Sequence, residues 1–141
     1  MTALREGATY TTQGRTIGEG DIMTFAGLSG DYTPIHVDAE FARTTPIGER
    51  IAHRPLAMSV AIGMATHLGI FGARVIGLVN VNWDFSRPVK IGDTIRGVVT
   101  IETVRASSKP GRGVATYAFE VVNQHDEPVQ TGRLTVVIRT D

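Results

Sequence analysis

The sequence contains no cysteine, and several other features are scarce or absent. Its 141 residues include a single tryptophan, and only 6% of them are aromatic. Without thiols the protein can form no disulfide, no cysteine nucleophile and no cysteine-ligated zinc site. No apolar run approaches the ~18 residues that a membrane-spanning helix needs, so we expect no membrane partner.

An excess of charge is also missing. The chain has 14 Lys and Arg against 14 Asp and Glu, which gives a formal net charge of zero. Because no basic run is present, a nucleic-acid partner is not expected. The first residues, Met1 to Gly7, lack the apolar core of a secretory signal, so we expect a cytoplasmic protein. A net charge near zero is compatible with self-association.

The length and composition suit one globular domain. Of the residues, 42% are hydrophobic and 20% are charged, which is ordinary for a compact fold. No internal repeat, low-complexity tract or linker divides the chain. Residues 1–141 are therefore predicted to form a single domain.

The apolar pattern predicts helices first and strands afterwards. Residues 8–17 favour a short extended segment, and residues 22–28 have helical spacing, with Asp21 as a possible cap and Gly30 as the stop. Residues 55–69 are the long helix candidate, which starts with a proline and ends with a glycine. This segment carries no charged residue, so it is expected to be buried almost all round.

After Gly69 the apolar residues alternate with a period of two, which is typical of strands. The predicted strands cover residues 75–87, 94–104, 114–122 and 129–139. The second strand changes phase before Val104, which indicates a bulge. Strands that follow helices predict an α+β fold, in which a curved antiparallel sheet wraps around one long buried helix.

Asp31 and His36 lie five residues apart, around a Thr33-Pro34 pair. Gly30-Asp31 is a turn signal, and Pro34 disfavours the helical conformation for Thr33. Both side chains are therefore predicted to lie on a bent, non-helical segment. A carboxylate beside an imidazole can move protons near neutral pH. The alternative interpretation is a turn aspartate and a structural histidine.

Three segments resemble the motifs of the MaoC-like (R)-specific enoyl-CoA hydratases. Gly30-Asp31-Tyr-Thr33-Pro34-Ile-His36 is similar to the family's Gly-Asp-x-Asn-Pro-x-His, with Thr33 in place of Asn. Ala52-His53-Arg54-Pro-Leu-Ala-Met-Ser59 is similar to Ala-His-Gly-x-x-x-x-Ser, with Arg54 in place of Gly. Phe85-Ser-Arg-Pro88-Val-Lys-Ile-Gly92-Asp93 resembles Phe-x-x-Pro-Val-x-x-Gly-Asp. The resemblance implies a hotdog fold over the whole chain.

The resemblance also implies a reaction, the reversible syn addition of water to a trans-2-enoyl-CoA, which gives an (R)-3-hydroxyacyl-CoA. An acyl-CoA thioester is then the partner, no cofactor is needed, and a homodimer is expected. Asp31 and His36 are expected to handle the protons, and the backbone N–H of Arg54 to bind the thioester oxygen. Ser59 is expected to orient a catalytic group, or only to hydrogen-bond within its helix. Supporting roles are expected for Thr33, Pro34 and His53.

Other possibilities stay open at this stage. The Arg54 side chain could hold an acidic acyl group or a CoA phosphate, or could simply be a solvated charge. Four histidines without metal-ligand spacing predict no metal site. A hotdog thioesterase and a non-catalytic acyl-CoA-binding or dehydratase-subunit-like protein are the alternative functions.

Overall fold

The computed structural model describes residues 3–141, which form a curved antiparallel sheet and a helical segment packed against it. The helices are α1 (Glu19–Ser29), α2 (Pro34–Val37), α3 (Ala39–Arg43) and α4 (Arg54–Ala65). The strands are β1 (Thr9–Thr11), β2 (Arg15–Thr16), β3 (Val75–Phe85), β4 (Thr94–Ala106), β5 (Arg112–Val122) and β6 (Pro128–Arg139). Within residues 3–141 no helix has the length and apolar character needed to cross a bilayer.

All strand pairs of the sheet are antiparallel. The strand order is β1-β4-β5-β6-β3, and β2 pairs with β4 beside β1. The register between β4 and β5 shifts after Ile101, which pairs with Tyr117, whereas Thr103 pairs with Thr116. The predicted bulge before Val104 is therefore confirmed.

The inward face of β5 shows how alternation produces the core. Ala115, Tyr117 and Val121 are fully buried, and Phe119 is nearly so. The Tyr117 hydroxyl donates to the carbonyl oxygen of Ile70 at 2.7 Å, and burial raises the pKa of Tyr117 to about 12. This face of the sheet packs against the buried side of α4, so the predicted α+β arrangement is confirmed.

Helix α4 is less buried than its composition predicts. It begins at Arg54, and Gly69 in the left-handed conformation ends the 3₁₀ turn (Thr66–Leu68) that follows it. Leu56, Ala57, Ala61, Met64 and Ala65 are buried. However, Pro55, Ser59 and Gly63 form an exposed row with a spacing of four residues. The prediction of an almost wholly buried helix is wrong for the single chain, because the sheet covers only one side of α4.

Strand β3 also departs from its prediction. Its alternation suggests one buried face, but Leu78, Val79 and Val81 are 54%, 60% and 40% exposed. The reason is position, since β3 is at the edge of the sheet and, within residues 3–141, pairs with β6 alone. The row of exposed apolar side chains on this edge strand is unusual for an isolated chain.

Candidate active site

The backbone between α1 and α2 brings Asp31 and His36 to one place. Gly30 ends α1 in the left-handed conformation with φ 79°, which reverses the chain. Thr33 has φ −54° and ψ 132°, outside the helical region, as predicted for a residue before proline, and Pro34 begins the short helix α2. His36 therefore lies on a helical turn, so the prediction of a wholly non-helical segment is wrong at this residue.

Thr33 fixes the Asp31 carboxylate. The backbone N–H and the hydroxyl of Thr33 both donate to Asp31 Oδ1, at 3.0 and 2.5 Å. The hydroxyl bond is the largest cause that lowers the pKa of Asp31, followed by the backbone bond, and the nearby His36 and His53 contribute less. Asp31 is exposed and is therefore an ionised acceptor at neutral pH.

The tautomer of His36 follows from its partner. Nδ1 of His36 lies 2.8 Å from the carbonyl oxygen of Ile51, and a carbonyl can only accept. Nδ1 must therefore carry the hydrogen, and Nε2 of the neutral ring is an acceptor. Asp31 and His36 thus present one acceptor each in the resting state.

His53 lies beneath this pair and is 1% exposed. Its Nε2 lies 2.9 Å from the backbone carbonyl oxygen of Asp31, so Nε2 is the protonated nitrogen. The ring stacks on His36, with centroids 3.9 Å apart, and contacts the Phe25 ring at 4.9 Å. His53 therefore packs under the bend and is hydrogen-bonded to the backbone of Asp31.

Asp31, His36 and His53 form a cluster that has the composition of a metal site. One ligand atom from each residue lies within 4.8 Å of the others. The spacing of the histidines in the sequence does not show that His36 and His53 come together. The two rings are stacked with an angle of 24° between their planes, and Nδ1 of His36 and Nε2 of His53 each hydrogen-bond to a backbone carbonyl. One nitrogen on each neutral ring therefore remains as an acceptor.

The N-terminus of α4 supplies a backbone donor beside this cluster. His53 is the N-cap, and its carbonyl accepts from the N–H groups of Leu56 and Ala57. The N–H of Arg54 has no hydrogen-bond acceptor among residues 3–141, as is usual in the first turn of a helix. Such a group favours a partial negative charge.

The Arg54 side chain is half-buried at the same helix end. Its guanidinium reaches the carbonyl oxygen of Arg87 at 3.5 Å. No carboxylate in the described part of the chain forms an ion pair with it, although Arg87 pairs with Glu127 at 3.3 Å. The positive charge of Arg54 is therefore not neutralised by an ion pair within residues 3–141.

Ser59 makes its side-chain hydrogen bond within α4. Its hydroxyl donates to the carbonyl oxygen of Pro55 at 2.8 Å, one turn earlier in α4, and the side chain is exposed. No hydrogen bond joins Ser59 to Asp31 or His36 in residues 3–141. The geometry agrees with the alternative given for Ser59, a bond within its own helix.

Three partners of the site were not predicted from the sequence. Phe25 packs on His53, the carbonyl of Ile51 sets the His36 tautomer, and the buried Gln130 donates to the carbonyl of Arg54 at 3.1 Å. Phe25 lies in the predicted helical segment, five residues before the motif that begins at Gly30, so its place near the site could have been predicted. The contact of the Ile51 carbonyl leaves no signal in the local sequence, and neither does the contact of Gln130, which lies 76 residues from Arg54.

Comparisons with known proteins give the family. The family model described as the MaoC like domain matches residues 2–123. An (R)-specific enoyl-CoA hydratase of Rhodospirillum rubrum is 39% identical over 118 residues, which are 82% of this chain and 80% of that protein.

Solved structures agree with this match. An Archaeoglobus protein described as a monoamine oxidase regulatory protein is 35% identical, with a TM-score of 0.92 over 98% of this chain and 92% of that one. An unliganded R-hydratase of Pseudomonas aeruginosa is 27% identical, with a TM-score of 0.80 over 98% of this chain and 84% of that one. The architecture is the hotdog fold, as predicted. On this evidence the chain belongs to the MaoC-like domain family.

Proposed function

We propose that the protein is a hydro-lyase that reversibly adds water to a trans-2-enoyl-CoA and forms an (R)-3-hydroxyacyl-CoA. One observation carries the proposal: Asp31 and His36 converge beside the N-terminus of α4, where the Arg54 N–H has no acceptor in the described chain. The hydratase name of the Rhodospirillum rubrum relative supports the same reaction.

We propose that one water molecule bridges the two side chains. Two hydrogen bonds of ~2.8 Å that diverge at a tetrahedral angle reach atoms about 4.5 Å apart, and the ligand atoms of the cluster lie within 4.8 Å. A water that donates to both Asp31 and His36 directs its lone pairs away from them, towards C3 of the substrate. One of the pair removes the proton, and the pair delivers a proton to C2.

The thioester oxygen gains negative charge as the enolate forms. We assign the Arg54 N–H as the donor to this oxygen, because it lies at a helix N-terminus. A backbone donor survives the replacement of the family's glycine by Arg54. The unneutralised Arg54 guanidinium is available for a CoA phosphate or an acidic acyl group. Thr33, Pro34 and His53 support this arrangement, and an orienting role for Ser59 stays a prediction.

The test is hydration of a panel of trans-2-enoyl-CoA substrates, with chiral analysis of the product and detection of free CoA thiol. We expect (R)-3-hydroxyacyl-CoA without thiol release. Free CoA as the main product would favour the thioesterase, and binding without turnover would favour the non-catalytic alternative. Either result would contradict the proposal.

Two variants test the roles of the pair. Asp31→Asn and His36→Ala should each lower kcat by roughly 10²–10⁴-fold, and the double variant should lose little more, because both groups act on one water. Asp38→Asn and His67→Ala are matched controls. Asn is as good an N-cap for α3 as Asp38, and His67 is exposed. A folded Asp31→Asn protein with near wild-type turnover would contradict the assignment.

The assembly belongs to the same proposal. We infer a homodimer that forms through the edge strand β3, whose apolar side chains Leu78, Val79 and Val81 are exposed in the single chain. Organisation of residues 1–141 as one domain, and cytoplasmic residence, stay predictions.

A further inference from the structure

Gln130 is a buried polar residue of β6 that the proposed chemistry does not use directly. It is 1% exposed, and both ends of its amide are hydrogen-bonded. Its Oε1 accepts from the indole Nε1–H of Trp83 at 2.9 Å, and its Nε2 donates to the carbonyl oxygen of Arg54 at 3.1 Å. The donor-only indole fixes the orientation of the amide, because Oε1 must face Trp83.

The first turn of α4 contains a local conflict that this contact can resolve. Arg54 lies inside α4, yet it precedes Pro55, whose ring disfavours the helical conformation for the residue before it. The sequence alone therefore does not hold Arg54 in the conformation that the helix requires. The hydrogen bond from Gln130 attaches the Arg54 carbonyl to the sheet and stabilises that conformation.

We propose that Gln130, held by Trp83, is a positioning residue for the oxyanion donor. The Arg54 N–H and carbonyl lie on the two peptide planes that meet at the same Cα. When the carbonyl is fixed, rotation of Arg54 is restricted and its N–H keeps its direction. The inference rests on the proposed function, since it explains how the Arg54 N–H that binds the thioester oxygen is held in position.

The expected effect falls on the transition state. A displaced oxyanion donor reduces stabilisation of the enolate but leaves most ground-state contacts with CoA intact. Gln130→Met keeps the length of the side chain and removes both hydrogen bonds. We expect it to lower kcat about 10–100-fold, because loss of an oxyanion donor costs up to ~10²–10³ and a misplaced one costs less. KM should stay within about twofold of wild type.

Trp83→Phe is the second variant. It keeps an aromatic ring against Phe119, whose centroid lies 5.3 Å away, but removes the indole donor. We expect a decrease in kcat of about 3–10-fold, in the same direction, because Gln130 keeps its bond to Arg54 but loses its anchor. Gln13→Met is the control, since Gln13 is exposed and far from α4 in the sequence.

A spectroscopic readout separates positioning from a general loss of structure. The absorption of a conjugated enoyl-CoA, such as an aryl-substituted one, shifts to longer wavelength when its carbonyl is polarised. We expect this shift on binding to wild type and to Gln13→Met, and a smaller shift with Gln130→Met at saturating protein. Thermal melting and circular dichroism establish that each variant is folded.

The outcomes are distinct. A folded Gln130→Met protein with kcat within twofold of wild type and an unchanged spectral shift overturns the inference. If Gln130→Met does not fold, Trp83→Phe decides, and an unchanged kcat and shift in that variant overturn it. If wild type hydrates no enoyl-CoA, the proposed function fails instead, a result that the wild-type assay gives before any variant is compared.

Discussion

A substitution at Gly132 tests the packing of β3 against β6 directly. Gly132 and Trp83 are register partners in these strands. A Cβ added at residue 132 would lie 2.0 Å from Trp83 Cε3 and 2.8 Å from the carbonyl oxygen of Asn82. Carbon atoms in contact are normally ~3.5–4.0 Å apart, so in Gly132→Ala the indole must move by roughly 1.5–2 Å.

The size of the effect follows from three contributions. Overpacking costs about 1–3 kcal/mol, and a displaced indole loses its bond to Gln130, which is worth about 0.5–1.5 kcal/mol. Replacement of glycine by alanine restricts the unfolded chain, which returns about 0.4–1 kcal/mol. We expect the free energy of unfolding to fall by about 0.5–4 kcal/mol, and Tm by roughly 2–16 °C for a chain of this size.

The assay is urea denaturation followed by the fluorescence of Trp83, the single tryptophan of the sequence. The emission of folded Gly132→Ala should differ from wild type, because the indole has changed its surroundings. Gly77→Ala in β3 is the matched control, since a Cβ there meets no atom within 4 Å, and it should not destabilise. Equal stability and equal emission in Gly132→Ala and wild type would refute this account of the packing.

Two further predictions concern α4 and the sheet edge. Ala61→Leu should lower the free energy of unfolding by about 1–3 kcal/mol, because Ala61 is fully buried. In Gly63→Ala the added Cβ meets open space, so this variant should raise the free energy of unfolding by about 0.4–1 kcal/mol. Urea denaturation measures both variants, and an Ala61→Leu protein as stable as wild type would contradict the prediction. Val79→Lys should yield monomers in sedimentation velocity at micromolar concentration, because a charge on the edge strand opposes pairing. Thr11→Lys on the opposite edge should remain dimeric like the wild type, and dimers of both variants would contradict an interface at β3.

Much of the fold follows from local pattern. The inward residues of β5 alternate without interruption, and each of them is buried. The bulge near Val104 is visible as a phase change in the sequence, because an inserted residue moves every later side chain to the other face. Asp38 caps α3 by accepting from the N–H of Phe41, which is a short-range preference.

The errors share a physical cause. Composition reports that a surface is apolar, but not which neighbour covers it. The exposed side of α4 is uncharged and Leu78, Val79 and Val81 of β3 are apolar, and only the strand order shows that residues 3–141 leave them open. The partners of the candidate site are likewise brought together by tertiary structure. His36 and His53 stack although 17 positions separate them, and Gln130 reaches Arg54 from the last strand.

Residue 33 is Thr in this sequence and Asn in the family's motif, and its side chain gives one more prediction, which concerns the pKa of Asp31. The Thr33 hydroxyl is the main cause that lowers the pKa of Asp31, and the backbone N–H of Thr33 comes second. Thr33→Val keeps the branched shape before Pro34 but removes only the hydroxyl. The pKa of Asp31 should therefore rise part of the way towards the ordinary value of ~3.9.

The consequence for activity has a definite sign. The proposed mechanism needs the carboxylate ionised, so kcat/KM falls as the pH drops through the pKa of Asp31 in the free enzyme. In Thr33→Val this acidic limb should move to higher pH, with little change in kcat/KM near neutrality. The stability that the depressed pKa provides is present above the unfolded value and is lost as the pH falls through the folded value, so it should also shrink in this variant. Thr33→Ser keeps the hydroxyl and should retain the wild-type limb. Folded Thr33→Val and wild type with the same fall of kcat/KM at acid pH would contradict this reasoning. In that case either the hydroxyl bond does not set the pKa of Asp31, or Asp31 does not handle the proton. The activity of Asp31→Asn separates these two cases.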